Sequence, residues 1–134
     1  MLTDGTIQCW GLNANGWVGA DSTNSLVPVP VSGITGATAV SAGSASTCAV
    51  LVGGTVKCWG LNTVGQLGDG STKNSKVPVA VSGLTGVTAV RILNKTACAL
   101  LTGGTVQCWG DNASGDFGNG SMTGSLVPVP VSAP

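Results

Sequence analysis

Five cysteines are the residues whose type and spacing could do covalent chemistry in this 134-residue chain. They lie at positions 9, 48, 58, 98 and 108, so two pairs are each ten residues apart. A Gly-Gly sequence between the members of each pair is typical of a tight β-hairpin. With a three-residue loop, Cys48 lies opposite Cys58 at a non-hydrogen-bonded position, where Cα atoms are roughly 4.5 Å apart. That separation is at the low end of the range that a disulfide tolerates.

The sequence therefore predicts the disulfides Cys48–Cys58 and Cys98–Cys108. The pairing recurs, and neither Cys-x-x-Cys spacing nor histidine supports a metal site. The alternative is that these thiols stay reduced and pack as small apolar side chains. The same register places the partner of Cys9 upstream of Met1, so Cys9 is predicted to be unpaired. An odd cysteine in a paired set indicates a chain that begins inside a repeated unit.

Catalytic chemistry has little support in the residue types. Histidine and glutamate are absent, so a cysteine nucleophile lacks an imidazole base, and no serine has a recognisable partner. Asp111 and Asp116 share one predicted loop, where carboxylates more often accept hydrogen bonds from local backbone N–H groups. The 69–74 loop offers oxygen ligands for calcium, but the matching loops do not keep its carboxylate. We therefore predict no enzyme activity, no metal site and no cofactor.

Charge and hydropathy exclude two further classes of partner. Charged residues make up 7 % of the chain and sum to zero, which leaves no basic patch for nucleic acid or an anionic membrane. The apolar stretches are far shorter than the ~18 residues of a membrane-spanning helix, and the first residues do not resemble a secretory signal. We expect neither nucleic-acid binding nor membrane insertion.

A repeat positions the cysteines. Cys-Trp-Gly recurs at 9–11, 58–60 and 108–110, and a valine–proline stretch follows each copy. One complete repeat contains four predicted strands, at residues 37–42, 46–51, 55–60 and 76–81. Short strands that are apolar on both faces are typical of propeller blades stacked between neighbours. Prolines in the last strand remove N–H donors from one side and mark an outer edge.

The predicted fold is all-β, an open arc of four-stranded antiparallel β-propeller blades. A partial blade is predicted in residues 1–36, and complete blades in residues 37–86 and 87–134. The inner strands of the first blade are absent. We therefore expect exposed strand edges and apolar faces at both ends of the arc, with low stability or self-association of the isolated chain.

Residues 47–90 contain Cys-Ala-Val, Gly-Thr-Val, Cys-Trp-Gly, Gly-Gln-Leu-Gly and Val-Pro-Val in that order. This set resembles the regulator-of-chromosome-condensation repeat family, in the cysteine-containing form common in bacterial extracellular proteins. The resemblance implies blades closed into a ring, usually of seven, whose loops bind proteins. Two features depart from the family pattern. Its histidine before the second strand is replaced by Ser46 and Thr96, and its glutamine survives only as Gln66.

Loop positions where the repeats differ are candidates for partner contacts, because shared positions serve the fold. The candidates are Trp17, Arg91, Asn94, Lys95, Asp111 and Asp116. Trp17 is a large aromatic residue of the kind found at binding hot spots, but it could equally cover the neighbouring blade. Arg91 and Lys95 have solvated surface charges as their alternative.

We interpret the sequence as a non-catalytic protein-binding or scaffold module. It is expected to form part of a larger propeller, extracellular or at the cell surface. The alternative is a proteinaceous enzyme inhibitor, or an exchange-factor-like regulator that acts through blade loops.

Overall fold

The computed structural model describes residues 1–20 and 23–132, and this part of the chain is built from β-strands. The strands are β1 (Gln8–Gly11), β2 (Ser25–Pro30), β3 (Ala37–Ala42), β4 (Ser46–Leu51), β5 (Val56–Gly60), β6 (Ser75–Ala80), β7 (Val87–Leu93), β8 (Thr96–Leu101), β9 (Val106–Gly110) and β10 (Ser125–Pro130). The described residues contain no helix that is long and apolar enough to cross a bilayer. The predicted all-β class is confirmed.

The strands form three antiparallel sheets. The first sheet is β1–β2, the second is β3–β4–β5–β6 and the third is β7–β8–β9–β10. The strands that contain prolines, β6 and β10, lie at the edges of their sheets, as their missing N–H donors predict. The sheets follow one another in an open arc, which confirms the predicted architecture.

The β4–β5 hairpin sets the register of the cysteines. The Leu51 N–H donates to the Thr55 carbonyl at 2.9 Å, and the Gly54 N–H donates to the Leu51 carbonyl at 2.9 Å. Gly54 has a φ of +76°, the left-handed conformation that the sequence predicts, and Gly53 also has a positive φ of +90°. This loop brings Cys48 opposite Cys58.

Apolar residues pack between the sheets. Val50 and Val56 of the second sheet share a core with Ile92 and Trp109 of the third. On the other side of the second sheet, Trp59 packs with Ile7, Val31 and Ala49 between the first and second sheets. Each strand can therefore be apolar on both faces, because the second sheet has a neighbour on each side.

Candidate functional site

The same contact joins each pair of neighbouring sheets. The indole N–H of Trp59 donates to the Trp17 carbonyl at 3.2 Å, and that of Trp109 donates to the Gln66 carbonyl at 3.0 Å. Trp17, Gln66 and Asp116 hold equivalent positions in the loops that follow β1, β5 and β9. Trp17 therefore belongs to a sheet junction through its backbone.

The side chain of Trp17 is half-buried beside an apolar cavity of about 410 Å³, which Ile7, Cys9 and Trp10 also line. Its indole nitrogen is buried and has no hydrogen-bond partner among the described residues. The cavity lies between the first and second sheets. The structure thus separates Trp17 from the other candidate residues.

The remaining five candidates surround one groove of about 680 Å³ at an end of the third sheet. We call this the charged groove, and it is lined by Arg91, Asn94, Lys95, Asp111 and Asp116. The sequence singled out these residues one by one because they differ between repeats. The structure brings them together.

Two loops form the walls of the charged groove. Arg91 lies on β7, and Asn94 and Lys95 form the turn between β7 and β8, where Asn94 adopts a positive φ of 50°. Asp111 and Asp116 lie in the loop after β9. The Asp111 N–H donates to the Lys95 carbonyl at 3.0 Å, which fixes the two walls to each other.

A buried asparagine holds the loop that carries the two carboxylates. The side-chain oxygen of Asn112 accepts the Phe117 N–H at 2.9 Å, and its amide nitrogen donates to the Ser121 carbonyl at 2.8 Å. Asn62 makes the matching contact with Leu67 in the second sheet. Because Phe117 is buried, Asp116 is held at the surface next to it.

The four charged side chains of the groove make no ion pair with any described residue. Arg91 donates to the Val90 carbonyl at 3.1 Å, and a carboxylate oxygen of Asp111 accepts the Ala113 N–H at 3.1 Å. Asp116 has one long contact of 3.5 Å, from the Thr96 hydroxyl. Both signs of charge therefore face the groove.

The second sheet has neutral residues at the equivalent positions, 50 residues earlier. The replacements are Ser41 for Arg91, Ala45 for Lys95, Leu61 for Asp111 and Gln66 for Asp116. The third sheet packs on this part of the second sheet. There the Ser41 hydroxyl accepts the Ile92 N–H at 3.1 Å, and Gln66 is fully buried. The third sheet thus carries charges where the second sheet makes a neutral contact.

Sequence reasoning did not identify three uncharged residues that line the groove, Ser44, Leu93 and Ser114. Ser44 comes from the second sheet, so its presence depends on how the sheets stack. Leu93 and Ser114 replace Gly43 and Val64 of the preceding repeat, and that difference was a signal that could have found them.

The cysteines are joined at both predicted pairs. The structure contains the disulfides Cys48–Cys58 and Cys98–Cys108, each with Cα atoms 4.1 Å apart. Cys9 is free, and burial raises the pKa of its thiol. Cys98 lines the charged groove.

Other ionisable groups give no sign of a metal centre or catalytic site. Among the described residues, no group of three or more Cys, His, Asp or Glu side chains could hold a metal ion. Outside the groove, the Thr6 hydroxyl donates to Asp4 at 2.7 Å and lowers the pKa of that exposed carboxyl.

Family models match the chain in two forms, both described as the regulator of chromosome condensation (RCC1) repeat. One matches residues 37–66 and 94–116, and the other matches residues 53–93. We found no curated protein whose sequence matches the chain significantly.

Solved structures show the same arrangement of strands. The crystal structure of human WBSCR16 is similar over 98 % of this chain, with 26 % sequence identity and a TM-score of 0.85. The chain spans 36 % of the WBSCR16 chain. Prp20p from Saccharomyces cerevisiae, studied with its binding to Gsp1p and histones, matches 96 % of this chain and 46 % of its own at 15 % identity and a TM-score of 0.46. Yeast RCC1 (Prp20) in complex with Kap60 matches 96 % of this chain and 45 % of its own, at 14 % identity and a TM-score of 0.46.

Proposed function

Because the chain belongs to the regulator of chromosome condensation (RCC1) repeat family, we propose that it is a non-catalytic protein-binding module whose partner docks in the charged groove. One observation carries this proposal. Five of the six loop residues that distinguish the repeats from one another surround a single groove. Residues that serve only the fold have no reason to differ between repeats and also to collect in one place.

The charges in the groove favour a partner over a structural role. Burying a charge without a counter-charge costs more than burying a neutral side chain. In the second sheet the corresponding surface is neutral where the next sheet covers it. Charges that make no ion pair within the described chain are suited to groups supplied by another molecule.

The proposal includes a setting outside the cell or at its surface, within a larger propeller. The two disulfides support this setting, because disulfides persist in oxidising compartments. The length relation to WBSCR16 is compatible with further blades. A partner that binds here and is an enzyme or a GTPase would make the chain an inhibitor or an exchange-factor-like regulator.

A display experiment tests the proposal for a partner of any sequence. A library of random displayed peptides is selected on the immobilised chain and on a reverted variant. The reverted variant carries Arg91→Ser, Lys95→Ala and Asp116→Gln, which are the residues of the preceding repeat. Lys73→Ala, which removes an exposed charge from the loop after β5, is the matched control.

We expect peptides to be enriched on the wild-type chain and on Lys73→Ala but not on the reverted variant. Circular dichroism and the masses of the two disulfide-linked peptides establish that each variant is folded. Equal enrichment on the reverted variant, or no enrichment on the wild-type chain, would overturn the proposal.

A further inference from the structure

Resting on the proposed function, we infer that the charged groove selects an extended protein segment that carries both an acidic and a basic side chain. The two signs of charge lie on different walls. Arg91 and Lys95 belong to β7 and the turn after it, whereas Asp111 and Asp116 belong to the loop after β9. The bond between the Asp111 N–H and the Lys95 carbonyl holds these walls in a fixed relation.

The local contacts leave both walls able to bind. An arginine side chain has five N–H donors, and the Val90 carbonyl is the one acceptor that Arg91 contacts among the described residues. An ionised carboxylate accepts about four hydrogen bonds, and Asp116 has one long contact in the described chain. An acidic side chain can therefore pair with the first wall while a basic side chain pairs with the second.

The balance of charge disfavours segments of one sign. The four charged side chains sum to zero, so an acidic segment gains from Arg91 and Lys95 but is repelled by the two aspartates. A basic segment meets the opposite arrangement. Like-charge contacts across an interface disfavour the wrong partner as strongly as opposite charges favour the right one. A mixed segment alone has favourable pairs at both walls.

The remaining lining suits a polypeptide. Ser44, Thr96 and Ser114 place hydroxyl groups along the groove, and these can bond to the N–H and C=O groups of an extended segment. Leu93 is 76 % exposed and offers an apolar contact at the rim. A volume of about 680 Å³ accommodates several side chains.

Four synthetic peptides of equal length test the inference. One carries glutamate and lysine, one carries glutamate only, one carries lysine only, and one carries glutamine in their place. We expect the mixed peptide to bind the wild-type chain about fivefold to tenfold more tightly than the others, because exposed ion pairs contribute modestly. The preference should collapse at about 0.5 M salt, where exposed charges are screened.

Two variants turn the groove to a single sign. Arg91→Glu with Lys95→Ala leaves three carboxylates and should bind the lysine peptide best. Asp111→Asn with Asp116→Lys leaves three cations and should bind the glutamate peptide best, while the asparagine can still accept the Ala113 N–H. Gain of binding to a new peptide cannot come from unfolding. Lys73→Glu, at a position outside the groove, should keep the preference for the mixed peptide.

The outcomes separate this inference from the proposed function. The inference is overturned if the wild-type chain binds all four peptides equally, prefers a peptide of one sign, or keeps its preference in both groove variants. The proposed function then still stands if displayed peptides depend on the groove residues. Failure of the display experiment as well would overturn both.

Discussion

At the scale of single residues, the two disulfides form a matched pair. Both close loops of the same length, with a sequence separation of 10. Cys48 and Cys58 are 0 % exposed, whereas Cys98 is partly exposed and lines the charged groove. Because the loop lengths are equal, any difference in the rate of reduction reports access to the sulfur atoms rather than chain entropy.

We predict that limited reduction opens Cys98–Cys108 before Cys48–Cys58. Arg91, which lies opposite Cys98 across β7 and β8, adds a positive charge that favours an approaching thiolate. Short treatment with dithiothreitol, followed by alkylation and peptide mass analysis, measures the order. Arg91→Ser should narrow the difference in rate without reversing it. Earlier opening of the buried Cys48–Cys58 disulfide would contradict the prediction.

Cys9 gives a prediction with a defined pH dependence. Burial disfavours the thiolate, so the pKa of Cys9 is raised in the folded chain. The raised pKa stabilises the folded chain below the ordinary thiol pKa, and this contribution is lost as pH rises through the folded pKa. Only the thiolate reacts with iodoacetamide.

We therefore expect the alkylation profile of Cys9 in the folded chain to be shifted to higher pH than in the urea-unfolded chain. The comparison requires intact disulfides in both states, so that Cys9 is the one reactive thiol among the described cysteines. Coincident profiles would show that burial does not control this thiol.

At the scale of elements, a glycine at each sheet junction lies against the next tryptophan. Gly68 has a φ of +69°, and a Cβ atom there would lie 2.7 Å from the indole nitrogen of Trp109. Gly118 occupies the equivalent position in the third sheet, with a φ of +60° and its nearest neighbour 3.5 Å away. The two positions share the backbone strain and differ in the clash.

We predict that Gly68→Ala destabilises the chain by about 3 kcal/mol, the sum of left-handed strain and overpacking. Gly118→Ala should cost about 1 kcal/mol, from strain alone. Urea unfolding followed by tryptophan fluorescence measures both variants. Equal losses of stability would show that the approach of Gly68 to Trp109 does not matter.

The loop after β9 depends on Asn112. Asn112→Ala leaves the buried Phe117 N–H without its acceptor, which costs about 1–3 kcal/mol. Since this loop carries Asp111 and Asp116, we predict that the variant also loses peptides selected on the charged groove. Asn62→Ala, in the equivalent loop of the second sheet, should lower stability by a similar amount and retain the peptides. Equal loss of peptides in both variants would contradict the prediction.

Sequence and structure agree on the elements and differ in how the site is assembled. The Gly-Gly loop and the spacing of cysteines predict the β4–β5 register, because a short hairpin loop leaves one way to pair the strands. Strand ends differ by one residue, as at β5, which begins at Val56 rather than residue 55. Divergence between repeats named Arg91 and Asp116, but not their shared groove. That groove requires β8 to lie between β7 and β9, and Ser44 requires sheet stacking.

At the scale of the whole molecule, stacking decides which surfaces are covered. Trp59 and Trp109 are fully buried because each contacts the loop of the preceding sheet. Trp10 has the same place in its repeat but is 64 % exposed. The repeat pattern predicts this surface to be apolar, and the structure adds the cavity beside it. The division of the chain after residues 36 and 86 stays a prediction.

We predict that this 134-residue chain self-associates through the surface around Trp10. Met1, Leu12 and Trp10 are exposed together beside the apolar cavity, and removing such a surface from water favours association. Sedimentation at increasing concentration should show larger species that Trp10→Ser reduces. Leu26→Ser removes an apolar side chain that is 98 % exposed on β2 and should leave association unchanged. A monodisperse monomer at every concentration would contradict the prediction, and equal effects of the two variants would assign association to general hydrophobicity rather than to the Trp10 surface.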